Sequence, residues 1–590
     1  MRKPKADLLI ESSFEVCNKV GGIYTVVTSK AEIIKKSYKD YLLIGPYYPD
    51  KARVELEEET PPEFLKKAFD ELANEGINCY YGKWLIKGEP KTILVDFRNR
   101  VGDADILKSK LWESFQVDTL FSNWDYIEPL VWSWCVGRLI EKISQNTSKK
   151  IVTHFHEWLA GISLLYLKRE KPDIPTVFTT HATMLGRSIA GSGEPLYSMI
   201  DSINPYEEAK KRGVIDKFTT EKACAKACDI FTTVSEITGY EAEKLLGRKP
   251  EVLVLNGLDI NKFPTFEETS IMHRRTRDDL REFFSYYFMP YYKVDLKNSL
   301  NFFIFGRNEY KNKGVDVFTK SLSKLNDQLK KIKDSKTIFA TFFIPCAVSN
   351  VRIPLLESKN KFYQMKELID DEVEDMKSAL LESFINEEDV MAAESVSKEF
   401  NQTMKRNVLH FKLQDLPPLS THELIDENNN EIIKGFRENN LLNREDDKVK
   451  VILYPIYLSN SDGLLNLSYY ETMVAGHLGI FPSYYEPWGY TPLESAALGV
   501  PAVTSDLAGF GRYIKQKAAG GIFILERLNK TEEEVVRSFT DILFEYSRLH
   551  KSQRVEHKMI AKELSKEADW KILAENYIDA QNQAFSRFKN

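Results

Sequence analysis

Short apolar runs alternate with amphipathic segments along the first part of the chain. The runs are DLLIES, YLLIG, TILVDF, KIVTHF, TVFTTH and IFTTVS, all within residues 1–260. Strands that are buried on both faces of a parallel sheet give continuous apolar runs, because neither face meets water. The pattern therefore predicts a parallel α/β domain over residues 1–280.

The same alternation begins again at NFFIFGRN, which starts at residue 301. It continues through TIFATFFIPC, KVKVILYPIYL, GIFPSYY and VPAVTSD. A chain of 590 residues also exceeds the roughly 250–300 residues that one hydrophobic core usually serves. We therefore predict a second parallel α/β domain over residues 298–570.

Residues 354–445 interrupt this alternation with a strongly charged segment whose apolar residues recur at helical spacing. Ile369, Val373, Met376 and Leu380 share one stripe of the predicted helix. Two interpretations are open on spacing alone: the stripe covers its own domain, or it packs against another subunit. We predict a helical insertion in the second domain.

Composition narrows the class of protein. Hydrophobic residues make up 43% of the chain, and 81 basic against 87 acidic residues give a formal net charge of −6. This balance produces no field that gathers a polyanion, so we expect no nucleic acid partner. No run reaches the ~18–20 apolar residues of a membrane span, and six scattered cysteines suit a reducing compartment. We expect a cytoplasmic protein without a membrane association.

Two loops that follow strand-like runs carry groups suited to a phosphorylated ligand. The first contains Lys19, Gly21 and Gly22, just before a predicted helix. A glycine pair there lets a phosphate or sugar approach the backbone and the helix N-terminus. In the second, GRNEYKNKG, the planar fork of Arg307 and the point charge of Lys313 suit phosphate oxygens. This pair can neutralise a diphosphate leaving group without a metal.

A third loop, in SYYEPWGYTPLES, places two carboxylates around a helix start. Glu486 is predicted to lie in the loop over a sugar, and Glu494 in the first turn of the helix, where it can accept from ribose hydroxyls. The backbone amides of Gly489–Thr491 are exposed at the helix N-terminus, which favours a phosphate there.

Seven strings of the sequence together resemble one enzyme family. They are VGGIYTV (20–26), HFHEWLAG (154–161), FTTHATMLGR (178–187), FTTVSEIT (231–238), LNGLDINKF (255–263), GRNEYKNKG (306–314) and YYEPWGYTPLE (484–494). The chain resembles the glycogen synthases of the animal and fungal type, glycosyltransferase family 3, over nearly its whole length. The resemblance implies a GT-B fold, with two Rossmann-like domains facing a catalytic cleft. It also implies that the last helix, within residues 571–590, crosses back onto the first domain.

The resemblance assigns roles to individual residues. Arg307 and Lys313 grip the diphosphate, and Glu486 and His181 lie beside the transferring glucose, which makes these four the predicted catalytic residues. Predicted substrate-binding residues include Glu494 at the ribose, Tyr469 stacked on the base and Glu157 lining the cleft. The full set of substrate-binding predictions is Lys19, Gly21, Gly22, Glu157, Tyr469, Trp488, Gly489, Tyr490, Thr491 and Glu494.

The implied reaction is retaining transfer of glucose from UDP-glucose to the non-reducing end of an α-1,4-glucan. No metal and no cofactor are expected, and the Asp103-Ala104-Asp105 string is interpreted as a chance match to a metal-binding motif. The family's tetramers use an inserted helical region, so the resemblance favours a homo-tetramer with subunit contacts through residues 354–445.

Family members bind glucose 6-phosphate through a dense run of arginines on a late helix. The corresponding stretch here is YSRLHKSQRVEHK, with Arg548, Lys551 and Arg554 spaced at i, i+3 and i+6. We predict these three as the site of this effector, with an ordinary solvated helix face as the alternative.

Two other functions remain open on the sequence. A related GT-B transferase would use another nucleotide sugar or a small acceptor, and its product would stop after one step. A non-catalytic glucan-binding scaffold would have no chemical reason to keep Arg307, Lys313, Glu486, Glu494 and His181 together.

Overall fold

The computed structural model describes residues 2–386, 397–517 and 520–588. It contains two lobes, each built on its own largely parallel β-sheet. All eleven apolar runs quoted above contain a strand. The α/β fold class with two Rossmann-like units is therefore confirmed.

The first lobe is organised around a nine-stranded sheet with the order β3-β4-β5-β2-β1-β6-β7-β8-β9. Strand β4 pairs antiparallel with β3 and β5, and every other pair is parallel. The strands are β1 (Leu8–Ser12), β2 (Asp40–Pro46), β3 (Leu56–Glu58), β4 (Asn78–Trp84), β5 (Lys91–Asp96), β6 (Ile151–His156), β7 (Thr176–Thr180), β8 (Ile230–Thr233) and β9 (Val252–Leu253).

Helices connect these strands, as parallel pairing requires. They are α1 (Gly22–Ser37), α2 (Pro49–Glu55), α3 (Glu63–Ala73), α4 (Ala104–Phe115), α5 (Trp124–Gln145), α6 (Glu157–Glu170), α7 (Met184–Gly191), α8 (Leu196–Met199), α9 (Pro205–Lys211), α10 (Ile215–Ala227) and α11 (Glu236–Leu245). Helix α12 (Phe266–Phe288) then leads to the second lobe, and a capping box between Thr265 and Glu268 fixes its start.

The second lobe contains a six-stranded parallel sheet with the order β14-β11-β10-β15-β16-β17. Its strands are β10 (Ser299–Phe305), β11 (Thr337–Phe343), β14 (Val449–Tyr454), β15 (Leu478–Phe481), β16 (Ala502–Ser505) and β17 (Ile522–Leu525). Two further strands, β12 (Val348–Val351) and β13 (His422–Leu424), form a small antiparallel pair.

The helices of this lobe include the predicted insertion. They are α13 (Val315–Lys330), α14 (Ile353–Ile385), α15 (Lys398–Phe411), α16 (Glu431–Glu438), α17 (Tyr469–Ala475), α18 (Tyr490–Ala497), α19 (Gly509–Ile514), α20 (Glu532–Arg548) and α21 (Lys551–Ser565), and they are followed by α22 (Trp570–Arg587). Helices α14 and α15 pack on each other, and α14 also packs on α12. Residues 387–396 of the insertion lie outside the described residues.

The last helix, α22, packs on the first lobe against α1, β6, β7 and β8. The buried Trp570 donates its indole N–H to Ser29 Oγ at 2.8 Å, and Gln581 Nε2 lies 3.2 Å from His154 Nδ1. Helix α22 therefore returns to the lobe that contains β1. Within the described residues, the structure has no helix with the length and apolar character needed to cross a bilayer.

Candidate active site

A cavity of about 500 Å³ opens at the carboxyl ends of β10, β11 and β14. Parallel α/β sheets bind ligands at this edge, because loops and helix N-termini converge there. The cavity is lined by side chains that include Arg307, Asn308, Lys313, Pro345, Tyr457, Tyr469 and Thr491. Four of the predicted site residues thus share one pocket.

Two of the predicted catalytic residues form an ion pair within this region. Lys313 Nζ lies 2.5 Å from Glu486 Oε2, and the Ser483 hydroxyl lies 3.5 Å from the same oxygen. The Glu486 carbonyl accepts from Gly509 N–H at 3.1 Å, which holds the loop against α19. The cation predicted for the leaving phosphate and the carboxylate predicted beside the glucose are therefore in direct contact.

Arg307 lies at the rim of the cavity, with 79% of its side chain exposed. Its Nη2 is 2.9 Å from Glu309 Oε1, two residues further along the same loop. A guanidinium held in this way keeps donors directed to solvent, where an incoming phosphate can reach them.

Glu494 is the fifth residue of α18, just past the first turn in which it was predicted, and it accepts from two tyrosines. Tyr469 OH donates to Oε2 at 2.8 Å, and Tyr470 OH donates to Oε1 at 3.2 Å. Burial raises the pKa of Glu494, and both hydroxyl donors oppose that rise. Glu494 therefore already accepts hydrogen bonds from two hydroxyl groups, which is the role predicted for it toward the hydroxyls of a ribose.

Tyr457 lines the same cavity but was not predicted. It follows β14, and 82% of its surface is exposed. A large aromatic ring in a cavity wall is suited to stacking on a base. The signal was a tyrosine directly after an apolar run, in LYPIYL, at the edge where ligands bind.

The predicted residues of the loop between Glu486 and α18 differ in whether they line the cavity. Gly489 has φ 104°, a left-handed conformation that favours glycine, and it leads directly into the helix. Thr491 reaches the cavity. Trp488 is buried in the core against Phe510 and Tyr513, so it supports the loop rather than lining the cavity.

Tyr490, the first residue of α18, also points into the interior. Its hydroxyl is buried without a hydrogen-bond partner in the part of the chain that the structure describes. Because the first N–H groups of a helix have no partner within it, the α18 N-terminus still offers donors to an anion.

His181 follows β7 in the first lobe and is buried in a network of polar groups. His181 Nε2 lies 2.9 Å from His156 Nδ1, and His156 Nε2 lies 2.5 Å from Glu11 Oε1. Burial, together with neighbouring positive groups, lowers the pKa of His181 well below its usual range. The imidazole of His181 is therefore neutral near pH 7.

Glu157 holds the backbone on which His181 sits. Its Oε1 accepts from the N–H groups of His181 at 2.8 Å and Ala182 at 3.1 Å. Glu157 itself has φ 64°, a strained conformation for a residue with a side chain, and such strain clusters at functional sites. Burial raises the pKa of its carboxyl, and the charge of Arg187 opposes the rise.

The backbone N–H groups of the glycine loop before α1 are hydrogen-bonded to the carboxylate of Glu15. Glu15 Oε2 accepts from Gly21 N–H at 2.7 Å and from Tyr24 N–H at 2.9 Å. A Cβ at Gly21 would lie 3.0 Å from Glu15 Oε1, so a larger residue there would require the carboxylate to shift. Gly22 has open space beside it, and Lys19 is exposed with its ammonium 5.8 Å from the Tyr24 ring centroid.

The two lobes touch beside this site. Tyr485 OH of the second lobe lies 3.3 Å from Glu241 Oε2 of the first. The same oxygen accepts from Thr183, and Glu241 Oε1 accepts from Tyr197. Tyr484 OH accepts from Tyr197 N–H at 3.3 Å. The loop that carries Glu486 is therefore anchored to the first lobe.

One group of side chains has the donor set of a metal site. Glu11, His154 and His156 place ligand atoms within 4.8 Å of one another. However, Lys30 Nζ is paired with Glu11, so an internal cation already satisfies the carboxylate. In the Asp103-Ala104-Asp105 string, Asp103 pairs with Arg100 at 2.6 Å and Asp105 projects into solvent.

The three predicted effector-binding residues do not share a helix face. Arg548 is the last residue of α20, and Lys551 is the first of α21. A capping box between His550 and Gln553 starts the new helix, so the i, i+3, i+6 spacing does not apply. Arg554 instead turns inward and donates to Leu549 O at 2.6 Å.

A different basic cluster surrounds Arg554. It combines α12 and α21 with the residue before β15, through His273, Arg277, His477, Arg554 and Lys558. Burial, together with the charges of Arg277 and Arg554, lowers the pKa of Lys558 to about 7. Arg277 Nε is buried without a hydrogen-bond partner within the described residues. Only Arg554 of this cluster was predicted from the sequence, because the members are far apart along the chain.

The sequence of this chain is similar to those of known proteins over nearly its whole length. A family model described as glycogen synthase matches residues 11–589. The chain is 34% identical to the glycogen [starch] synthase of Neurospora crassa, over 99% of this chain and 85% of the relative. It is 33% identical to the liver glycogen [starch] synthase of Homo sapiens, over 98% and 84%.

One solved structure superposes on nearly the whole chain. The catalytic domain of starch synthase IV from Arabidopsis thaliana, bound to ADP and acarbose, matches with a TM-score of 0.51 at 13% identity. The superposition covers 99% of this chain and 100% of that chain. At this level of identity, the similarity shows the shared GT-B fold alone.

Proposed function

The chain belongs to the glycogen synthase family, and from this premise we propose that it transfers glucose from UDP-glucose to the non-reducing end of an α-1,4-glucan with retention of configuration. It is a hexosyltransferase of the GT-B fold. The observation that supports the proposed donor is the cavity where Arg307, Lys313, Tyr457, Tyr469 and Thr491 meet.

The cavity suits the charge changes of glycosyl transfer. Positive charge builds at the anomeric carbon while negative charge builds on the leaving diphosphate. Lys313, Arg307 and the N-terminus of α18 supply preorganised positive potential for that phosphate. Such groups stabilise the transition state more than the ground state, because the charge on the bridging oxygen grows as the bond breaks.

Glu486 and His181 are proposed to lie beside the transferring glucose. The ion pair with Lys313 places the Glu486 carboxylate next to the cation that receives the phosphate. A carboxylate there can face the positive charge of the sugar ring. His181, neutral and held from behind by His156, is suited to a hydrogen bond with a sugar hydroxyl.

The nucleotide end of the donor is assigned to the other side of the cavity. Tyr469 and Tyr457 supply aromatic surface for the base, and Glu494 accepts from the ribose hydroxyls in place of its tyrosine donors. The preference for UDP over ADP follows from the family resemblance alone.

We also propose that turnover needs no metal, since Arg307, Lys313 and the N-terminus of α18 supply positive potential where the phosphate is proposed to bind. Full activity after dialysis against EDTA is the expected result. A large loss that added Mg²⁺ or Mn²⁺ restores would contradict this part of the proposal.

The deciding experiment is incorporation of labelled glucose into glycogen by the purified chain, with UDP-glucose and ADP-glucose in parallel. Label in the polymer from UDP-glucose is expected. Label confined to a short soluble product would indicate a small-molecule acceptor instead, and no transfer from either donor would contradict the proposed reaction.

For regulation, we propose that the cluster of His273, Arg277, His477, Arg554 and Lys558 binds the phosphate of glucose 6-phosphate. Partly buried cations near one another favour a compensating anion, and the unpaired Arg277 Nε and the lowered pKa of Lys558 are both consistent with one. Activation by glucose 6-phosphate should be lost in Arg277→Ala. It should be retained in Arg548→Ala, because the Arg548 guanidinium lies over the Phe544 ring and not in the cluster. The reverse pattern would return the site to the residues first predicted.

For assembly, we propose a homo-tetramer in the cytoplasm. The stripe on α14 that contains Ile369 and Val373 is exposed in the single chain, and Phe384 near its end is 68% exposed. Apolar surface of this kind favours a subunit contact. All six cysteines are free thiols, as in a reducing compartment. A monomer in light scattering would contradict the assembly.

A further inference from the structure

A continuous chain of buried hydrogen bonds leads from His181 into the sheet of the first lobe. His181 Nε2 is 2.9 Å from His156 Nδ1, and His156 Nε2 is 2.5 Å from Glu11 Oε1. Glu11 also pairs with Lys30 and accepts from Tyr41 OH at 2.6 Å. The side chains of Glu11, Lys30 and His156 have no solvent exposure.

A buried ion pair of this kind is costly, and packed apolar residues of the same size are often as stable. Glu11 is the fourth residue of β1, between the apolar Ile10 and the hydroxyl-bearing Ser12, and all three are fully buried. The structure thus places a carboxylate and an ammonium in the centre of a sheet, with a histidine as the next partner toward the cleft. An arrangement with this cost points to a role beyond holding the fold.

The proton positions along the chain follow from the charges. Although burial acts to raise it, the pKa of Glu11 lies well below its usual range because of Lys30 and His156. Glu11 is therefore an acceptor, so His156 Nε2 carries the proton between them. Burial lowers the pKa of His156, which leaves that ring neutral with a lone pair on Nδ1.

We propose that Glu11, Lys30 and His156 are positioning residues that set the tautomer of His181, with the proton on Nε2 and a lone pair on Nδ1. His156 Nδ1 can only accept, so His181 Nε2 must donate to it. Nδ1 of His181 has no partner within the described residues, and it is then the ring atom left for a ligand. The catalytic part of this inference rests on the proposed function, in which His181 contacts the transferring glucose.

This tautomer gives His181 a defined preference. A lone pair accepts a hydrogen bond from a sugar hydroxyl, but it repels a phosphate oxygen. The buried hydrogen bonds from Glu11 to His181 therefore favour contact of His181 Nδ1 with a glucose hydroxyl over contact with the diphosphate. The opposite tautomer would present a donor, which suits phosphate as well as hydroxyl.

His154 provides a matched control. It lies two residues before His156 on β6, and its ring stacks on that of His156 with centroids 4.6 Å apart. Its hydrogen bonds lead elsewhere: Gln581 Nε2 is 3.2 Å from His154 Nδ1, and His154 Nε2 is 2.6 Å from Thr179 Oγ1. In His154→Gln, an amide can still donate to Thr179 while the chain to His181 stays intact.

The first test needs no turnover. Histidine labelled with ¹⁵N in the intact protein reports each ring nitrogen as protonated or unprotonated, and His181→Gln assigns the signals. We expect His181 to have a protonated Nε2 and an unprotonated Nδ1. The reverse assignment, or an equal mixture, overturns the proposal whether or not the chain makes glycogen.

The second test disrupts the hydrogen-bonded series from Glu11 to His181 with substitutions of similar side-chain volume. Glu11→Gln alone would leave Lys30 buried without its partner, so the variant of choice is Glu11→Gln with Lys30→Met. The amide can accept from or donate to His156, so it no longer fixes the proton. Groups that orient a functional histidine in metal sites are typically worth about 10- to 100-fold in activity, and we expect a fall of that order in kcat.

In the double variant, KM for the sugar nucleotide should change little, and the His181 ring signals should show a mixture of tautomers. His154→Gln should keep both kcat and the tautomer. A double variant with an unchanged tautomer refutes the role of Glu11 and Lys30. A mixed tautomer with unchanged kcat refutes its catalytic part, whereas failure of the unmodified chain to label glycogen would refute the proposed function instead.

Discussion

Glu241 provides the sharpest prediction about pH, because its carboxyl is buried where the two lobes meet. It accepts from Tyr197 OH at 2.7 Å, Thr183 Oγ1 at 2.9 Å and, across the lobes, Tyr485 OH at 3.3 Å. Burial raises its pKa from 4.5 to about 7, and the three hydroxyl donors oppose the rise. The folded protein therefore holds this proton more tightly than the unfolded chain.

The sign and size of the effect follow from linkage. Below pH 4.5 Glu241 is protonated in both the folded and the unfolded protein, so it does not affect the free energy of unfolding. Between pH 4.5 and 7 the carboxyl loses its proton in the unfolded chain but keeps it in the folded protein, so stability falls as pH rises. A difference of this size, at 1.36 kcal/mol per pKa unit, amounts to about 3 kcal/mol above pH 7. Glu241→Gln keeps the shape without the ionisation, so it should remove this cost.

The assay is a series of thermal unfolding curves from pH 4.5 to 8 for the unmodified chain and Glu241→Gln. In a lobe of this size about 3 kcal/mol corresponds to roughly 6 °C. The variant should match the unmodified chain at pH 4.5 and exceed it by that amount at pH 8. Glu157 and Glu221, whose pKa values burial also raises, contribute equally to both proteins and cancel in the difference. A difference that is flat with pH, or that falls as pH rises, would refute the reasoning.

Three further predictions concern the cavity, the effector and the assembly. Lys313→Ala should lower kcat by about 100- to 1,000-fold, the usual loss for one group that stabilises the transition-state charge, while Lys320→Ala on the exposed side of α13 should leave it unchanged in the labelled-glucose assay. Lys558 has a pKa of about 7 and must be protonated to pair with a phosphate. The concentration of glucose 6-phosphate that gives half-maximal activation should therefore rise between pH 7 and 8.5, by up to about tenfold per pH unit. A half-activating concentration that does not change with pH would show that Lys558 is not part of the site. Val373→Asp should shift the assembly to smaller species in light scattering with no change in circular dichroism, whereas an unchanged mass would show that this stripe is not a subunit contact.

The strands and the cavity could be predicted from the sequence because their signals are local. An apolar run gives a buried strand, and the residues just after it lie at the ligand-binding edge, so Arg307, Lys313 and Thr491 fall at one pocket. Tyr457 obeys the same rule and could have been found by applying it to every strand. In contrast, β9 has only two residues, which is too short to give a distinct pattern.

The remaining features depend on contacts between distant parts of the chain. Glu11, Lys30 and His156 come from β1, α1 and β6, and each alone is an ordinary residue in its element. The break between α20 and α21 was missed because no glycine or proline marks it, and the stop is made by side-chain capping at His550. Trp488 illustrates the opposite difficulty, since an aromatic residue in a glycine loop is equally typical of a ligand contact and of a support in the core.

The groups proposed to bind the donor are each engaged by another group of the chain. Lys313 pairs with Glu486, the ribose acceptor Glu494 receives two tyrosine hydroxyls, and the amides at the start of α1 receive the Glu15 carboxylate. Each internal partner has the chemistry of the ligand group that it resembles: carboxylate for phosphate, and phenol for ribose hydroxyl.

This arrangement has an energetic consequence. A buried charge without a partner costs several kcal/mol, so a site that held bare cations would lose stability and would adjust its geometry on binding. When the partners are internal, binding exchanges one hydrogen-bonded neighbour for another, and the cations and amides stay oriented throughout. The preorganisation that stabilises the transition state is therefore maintained by Glu486, Glu15 and the Tyr469–Tyr470 pair before any substrate arrives.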